Sequence, residues 1–508
     1  MGKTDRLGRV MKLHVQLKDI KMNWQDKEDW GNNEMYLNWV LQRAYLTPLR
    51  NGLTYNGKNW TFQELNDLSL KRARQLTTLD IKQGDRIAIM GPSKPSLVIM
   101  MYACMHLQCE MVMLNRRLTQ DEIAYQLEDS EAMAVLVADE DIEKLPTHTT
   151  NYLFSTIEKS TETAIDITKE WSLNQTTSIM YTSGTTGFPK GVCQTVGNHQ
   201  ASATASVLNI GLHVDDTWLC AVPLFHISGF SILVRSLLYG NKVHLYDQFD
   251  AEAISQNIMD GEVTHMSVVA VTLERILHTL EQKNAQASPK FKMMLAGGGP
   301  VPVDYLKRAH ALHLAVAQTY GMTETSSQTA TLANEDAMKK IGSAGKPLFF
   351  NQIRIAEQND NGEGEICIRG PHVTPGYIGR FAQKDATIDG WLHTGDIGYI
   401  DEDGYLFVID RRADLIISGG ENIYPAEIEN VLLTHPAVKE AGVCGIDDDK
   451  WGQVPIAFVV LKEHVQVEQL QAFCQKKLAK YKLPKEIIVT DKLPRNGANK
   501  LLRRKLMD

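Results

Sequence analysis

The chain lacks the marks of several protein classes, and each absence narrows the reading. Its seven cysteines are odd in number and scattered, with no CxxC pair; Cys104 and Cys109, the closest two, have no histidine cluster beside them. That pattern argues against a disulfide framework or a zinc site, and reads as reduced thiols in a cytoplasmic protein. No stretch reaches the ~18 uninterrupted apolar residues of a membrane span. The opening Met1-Gly-Lys-Thr-Asp-Arg6 has no apolar core of signal-peptide type behind it, so the expected location is cytoplasmic. Basic excess is missing too: the net charge is −8, which argues against nucleic acid as a partner. Internal repeats and low-complexity tracts are absent.

What remains is a soluble globular composition, 43% hydrophobic and 22% charged, over 508 residues. This length exceeds one ordinary domain and buries a core without disulfide or metal. Residues 1–34 are polar, mixed in charge and aperiodic, and read as a disordered or weakly docked extension. Residues 35–410 read as one large N-terminal domain, and 411–508 as a small α+β C-terminal domain. Tyr36–Ala44 carries an amphipathic helix pattern.

Between about 60 and 320, apolar runs such as Arg86–Met90, Ala134–Ala138, Ser178–Tyr181, Lys242–Tyr246, Met266–Ala270, Met293–Ala296 and Ala315–Ala317 alternate with helical segments. That alternation predicts an α/β fold of two βαβ-type layered sheets, largely parallel. From about 350 to 410, short strands with glycine-rich turns, Gly364–Gly370 and Asp401–Ile409, predict a β-rich subdomain.

Tyr181-Thr-Ser-Gly-Thr-Thr-Gly-Phe-Pro-Lys190 sends a strand into small hydroxylated residues, two glycines and a lysine. Glycines let backbone N–H groups approach an anion, Thr182, Ser183, Thr185 and Thr186 add hydroxyls, Gly184 adds backbone, and Lys190 adds charge. The order GxxxxGK[ST] is absent, so this is no Walker loop. Taken alone, such a segment is as readily a surface loop.

Three further blocks follow: Tyr320-Gly-Met-Thr-Glu324-Thr; Trp391-Leu-His-Thr-Gly-Asp396; and Asp410-Arg411 leading into Ser418-Gly-Gly-Glu421-Asn-Ile-Tyr-Pro. Together the four resemble, in order, the motifs of the adenylate-forming superfamily of acyl-CoA synthetases, luciferases and peptide-synthetase adenylation domains, over about residues 36–508. The resemblance implies an ATP-dependent acid–CoA ligase with Mg²⁺ as cofactor and ATP and CoA as co-substrates.

It further implies Tyr320 against adenine, with Gly298, Gly299 and Gly321 beside it. Thr323 would meet the α-phosphate, Glu324 and Thr182 would hold Mg²⁺ by hard oxygens, and Asp396 would accept the ribose hydroxyls with Arg411 close by. Lys500, in Leu493-Pro-Arg-Asn-Gly-Ala-Asn-Lys500, matches the terminal block whose lysine bridges carboxylate and phosphate. Arg495, Asn496 and Asn499 depart from that block's usual residues, and Ala413 from the hinge's usual polar residue. Arg503, Arg504 and Lys505 read as an ordinary solvated basic tail. The small domain is expected to alternate between two poses, one presenting Lys500 and the other the loop Ser418, Gly419, Gly420 and Glu421.

Pro223-Leu-Phe-His226-Ile-Ser-Gly-Phe230 matches the block that walls the acyl pocket. The pocket is expected to draw on His226, Ser228, Gly229, Thr272, Gly297, Ser326 and Gln328, although hydroxyls at strand ends often bond only backbone. Met113–Thr119, Gln194–His199, Gly342–Leu348 and Asn499–Arg503 resemble the o-succinylbenzoate–CoA ligases of menaquinone synthesis more than fatty acyl ligases. Two alternatives stay open: a ligase for benzoate or a medium-chain fatty acid, and a module that loads a carrier protein. The partners implied are a small carboxylic acid, ATP and CoA, and a homo-oligomer is allowed.

Overall fold

The computed structural model describes residues 35–165, 170–182, 188–298, 301, 303–360, 362–410, 416–423, 425–494 and 503–507. The extension 1–34 lies outside them, as do Ser183, Gly184, Thr185, Thr186, Gly299, Arg411, Ala413 and Lys500.

Two large sheets form the first part of the chain. The first orders its six strands as 190–195, 176–182, 110–113, 86–90, 134–137 and 151–153. All neighbours are parallel except Lys190–Thr195, which runs antiparallel to Thr176–Thr182. Ile87 to Met90 are buried on both faces, the condition under which apolar runs replace alternation. Helix Pro95–His106, apolar all round, fills the space behind this sheet.

The second sheet has nine strands, with Lys242–Leu245, Thr217–Cys220, His265–Val268, Met293–Ala296 and Val316–Tyr320 as its parallel centre. Chain order reverses there: from Thr217–Cys220 the path steps to Lys242–Leu245 on one side, then returns to His265–Val268 on the other. Ligands of open parallel sheets bind outside the carboxyl ends of strands at such a reversal.

Two smaller sheets complete the molecule. An antiparallel four-stranded sheet (352–356, 364–369, 392–400, 406–410) matches the predicted β-rich subdomain. A five-stranded sheet built from residues 416–489 packs helices Pro425–Leu433 and Val467–Lys477 over its own core of Ile423, Ile428, Val443, Val459 and Leu470.

Several expectations need correction. Residues 35–37 form a strand paired with Glu170–Ser172, and the helix begins only at Trp39, because the Asn38 side chain caps Val40 and Leu41. The run from Met266 stops at Val268, since Ala270 opens a helix. Asp401–Gly404 is a turn, and the strand there is Leu406–Asp410. Arg503 is not a solvated tail residue: its guanidinium grips Glu429 with both Nε (2.9 Å) and Nη2 (2.7 Å).

Candidate active site

A cavity of about 310 Å³ opens at this reversal point, between the carboxyl ends of Thr217–Cys220 and His265–Val268. The elements around it supply its walls in sequence order. Thr182 closes the strand before the glycine-rich loop; Gly297 and Gly298 end strand Met293–Ala296; Gly321, Met322, Thr323 and Glu324 follow strand Val316–Tyr320; Thr394 and Asp396 come from the four-stranded sheet. Gly321 has no room for a side chain, because a Cβ there would collide with the Ser327 carbonyl. Backbone alone can line the cavity at that point.

Asp396 is held by Tyr320, whose hydroxyl donates to its carboxylate at 2.7 Å. Tyr320 itself is buried in the cluster with Ile366, Leu392 and Leu406. The glutamate-bearing turn is fixed from two sides: Gln194 Nε2 donates to the Thr323 carbonyl (2.9 Å), and Thr374 N–H donates to the Glu324 carbonyl (2.8 Å). Lys190 lies over the rings of Tyr377 and Phe381, 5.7 and 5.4 Å from their centroids. Cavity-lining Glu324 and Thr182 offer the oxygen donors that a hard cation such as Mg²⁺ prefers.

The end of the cavity expected to take the acyl group is walled by Phe225, His226, Ser228, Ser231, Arg235, Ser267, Ser327 and Gln328. Here the structure separates the predicted residues. His226, Ser228, Gly297 and Gln328 line the cavity. Thr272 does not: its hydroxyl bonds the Val269 N–H (3.0 Å) and carbonyl (2.9 Å), capping the helix that starts at Ala270. Ser326 is fully buried behind the wall, and its neighbour Ser327 faces in instead. Gly229 serves packing, since a Cβ there would strike the Pro223 carbonyl.

Arg235 is the residue that sequence reading missed. It is the one charged residue of helix Ile227–Tyr239, 1% exposed, and burial lowers its pKa. Its Nη2 donates to Ser327 Oγ at 3.3 Å, and its guanidinium lies 5.3 Å from the Trp218 ring centroid. Among the described residues no carboxylate pairs with it, and its Nε has no hydrogen-bond partner. A lone arginine in an otherwise uncharged helix was the signal available in the sequence.

The small C-terminal unit closes the remaining side. Gly420 and Glu421 enter the cavity wall, and Gly420 (φ +86°) passes against Val269, where a side chain would crowd the valine. Glu421 Oε1 meets Arg117 Nη1 at 2.6 Å, and its Oε2 meets His226 Nε2 at 3.2 Å. Burial alone would push the Glu421 carboxyl up. His226, Arg117 and Lys482 outweigh burial and hold it at about 2. Lys482 Nζ lies 2.7 Å from both Glu122 and Glu427, so one buried ammonium joins the two parts of the chain. Ser418 and Gly419 belong to the same loop but do not line the cavity.

Comparison with known proteins gives the family. The family model of AMP-binding enzymes matches residues 41–378, and that of the AMP-binding enzyme C-terminal domain matches residues 427–500. The 2-succinylbenzoate–CoA ligase of Geobacillus sp. (strain WCH70) is 48% identical over 477 residues, covering 92% of this chain and 96% of the relative. A double mutant of o-succinylbenzoate CoA synthetase from Bacillus subtilis, bound with the product analogue OSB-NCoA, superposes with a TM-score of 0.88 at 43% identity, covering 93% of this chain and 98% of that one. The same synthetase in complex with ATP and magnesium ion superposes with a TM-score of 0.72 at 42% identity, covering 93% and 100%. The chain therefore belongs to the AMP-binding enzyme family, and within it to the 2-succinylbenzoate–CoA ligases.

Proposed function

We propose that the chain converts 2-succinylbenzoate, ATP and CoA to 2-succinylbenzoyl-CoA, AMP and diphosphate through an acyl-adenylate. The observation that carries the choice of acid is Arg235. A buried guanidinium without a carboxylate partner among the described residues is costly. A substrate with a second, aromatic carboxylate supplies the missing partner and a planar acceptor for the guanidinium fork. Benzoate or octanoate, which have one carboxylate each, would leave the cation unpaired or the reacting group misplaced. Ser231 and Ser327 flank Arg235 and add hydroxyls.

The remaining residues divide the chemistry. The succinyl carboxylate attacks the α-phosphorus of ATP, and diphosphate leaves. Asp396 is assigned to accept the ribose hydroxyls, and Thr323 to donate to the α-phosphate. Glu324 and Thr182 would hold Mg²⁺, which neutralises phosphate charge. Lys500 is assigned, by its match to the terminal block, to the charge that grows between carboxylate and phosphate. With Gly420 and Glu421 in the cavity wall, the pose described is one suited to the second step, in which the CoA thiol displaces AMP. The higher similarity to the product-analogue complex supports that reading. The location assigned is the cytoplasm, where ATP and CoA are available.

Mass spectrometry of products from ATP, Mg²⁺, CoA and a panel of acids tests the assignment. The expected result is 2-succinylbenzoyl-CoA in strong preference to benzoyl- or octanoyl-CoA. Preference for either of the others would overturn the choice of acid, and acyl-adenylate without any CoA ester would overturn the ligase.

A further inference from the structure

On the four-stranded sheet, away from the acyl end, three metal-ligating side chains converge. Glu365 and Cys367 are two apart on strand Gly364–Arg369 and so share a face. His393, on strand Leu392–Ile400, is the registered partner of Cys367, and an irregularity in the pairing between Glu365 and Cys367 brings the carboxylate level with the ring. His393 Nδ1 lies 2.8 Å from Glu365 Oε2 and 3.5 Å from Cys367 Sγ, and the three ligand atoms are all within 4.8 Å of one another. The sequence hides this cluster, since 26 positions separate Cys367 from His393.

The nitrogen–sulfur spacing is the one a tetrahedral ion imposes, whereas the 2.8 Å between His393 and Glu365 is a hydrogen bond that an ion would open to about 3.3 Å. With zinc–nitrogen and zinc–sulfur bonds of about 2.0 and 2.3 Å, the two ligand atoms stand roughly 3.5 Å apart. Glu365 and Glu357 bring negative charge to the thiol, and Arg354, which hydrogen-bonds it, offsets part of that charge and would have to give way to an ion. Cys367 is buried while His393 and Glu365 are about one-third and one-quarter exposed (30% and 27%), so an ion can enter from solvent and meet sulfur at the bottom.

We propose that Glu365, Cys367 and His393 form a binding site for a thiophilic divalent cation of the zinc type, distinct from the Mg²⁺ that accompanies ATP. Sulfur and imidazole select a borderline ion over a hard one. On binding, the Cys367 thiol gives up its proton to solvent as the metal–sulfur bond forms. The site adjoins the nucleotide end, because Glu365 Oε1 accepts the Gly395 N–H (2.7 Å) and Asp396 is the next residue.

The test is a titration of the full chain, free of ATP and Mg²⁺, with Co²⁺ followed by displacement with Zn²⁺. Binding at this site gives a thiolate-to-cobalt charge-transfer band that saturates at one equivalent, releases one proton and is bleached by zinc. Cys367→Ser should abolish the band, and Zn²⁺ affinity should fall at least about tenfold. His393→Gln should do the same, and decides the matter if the serine variant does not fold. Absence of the band in the unmodified chain overturns the proposal. So does a band that survives in a folded Cys367→Ser or His393→Gln protein, which would place cobalt on another of the seven thiols.

Discussion

His226 Nε2 and Glu421 Oε2 stand 3.2 Å apart although 195 positions separate them in the chain. The contact joins the N-terminal edge of helix Ile227–Tyr239 to a strand of the small unit, inside the cavity where the acyl group is expected. Glu421→Gln keeps the shape and removes the charge. Thioester formation from preformed acyl-adenylate should fall roughly tenfold, the worth of a charged hydrogen bond, while ATP–pyrophosphate exchange changes little. Equal loss in both half-reactions would remove Glu421 from the second step.

Arg235→Met should lower kcat/KM for 2-succinylbenzoate by at least about 2 kcal/mol, roughly thirtyfold, because one partner of a buried charge pair is lost. ATP binding should be unchanged, and activity toward an acid lacking the aromatic carboxylate should rise relative to the parent substrate. A variant that loses all acids alike would show that the arginine only supports the fold.

Lys500→Ala should cut adenylation by at least about a hundredfold and spare thioester formation from preformed acyl-adenylate. Rapid-quench measurement of the two half-reactions separates the outcomes. A variant equally poor in both would return Lys500 to the solvated basic tail.

Lys482→Met strands Glu122 and Glu427, both within 2.7 Å of the lost ammonium, Glu427 buried and the Glu122 side chain only 9% exposed. Breaking such a group on one side costs about 3–5 kcal/mol, read as a lower midpoint in denaturant. Adding Glu122→Gln and Glu427→Gln to the same protein should recover a large part of that loss. No recovery would mean that the lysine stem, not its charge, holds the contact.

Acid should destabilise the protein well above the range where carboxylates titrate. Burial holds His106 and His199 at about 3, and His372 at about 4; His265 also sits at about 4 despite the neighbouring Asp216. Each ring is neutral in the folded chain and takes a proton when unfolded, so its contribution is complete above pH 6.5. That contribution is lost as pH falls from 6.5 toward 4, at on the order of 1.4 kcal/mol per pH unit for each ring. Urea midpoints at pH 7 and pH 5 measure it, and equal midpoints would contradict the burial of these four side chains.

Much of the α/β architecture was legible because doubly buried strands such as Arg86–Met90 and Met293–Ala296 are short apolar runs between helical segments. Motif order made part of the cavity legible, since Thr323, Glu324 and Asp396 all line it. The acyl end was less so. Thr272 and Ser327 show why: whether a hydroxyl caps its own helix or faces a ligand depends on a turn of backbone, and Ser327 reaches inward at a φ of 110° that no residue pattern announces. Arg117, Lys482 and the Glu365–Cys367–His393 cluster depend on pairings across tens to hundreds of positions.

Helix Ile227–Tyr239 carries one further consequence. Its cap residue His226 and its buried Arg235 are nine positions apart, about 13.5 Å along the axis. Side chains on a helix lean back toward its N-terminus, so the arginine shortens that interval. On the binding mode proposed above the helix is a gauge: its rise per residue sets the distance between the end of an acid that reacts and the end that is read. Lengthening the acid by one methylene, or moving the second carboxylate around the ring, should fail at the far mark while every contact at the reacting carboxylate stays available.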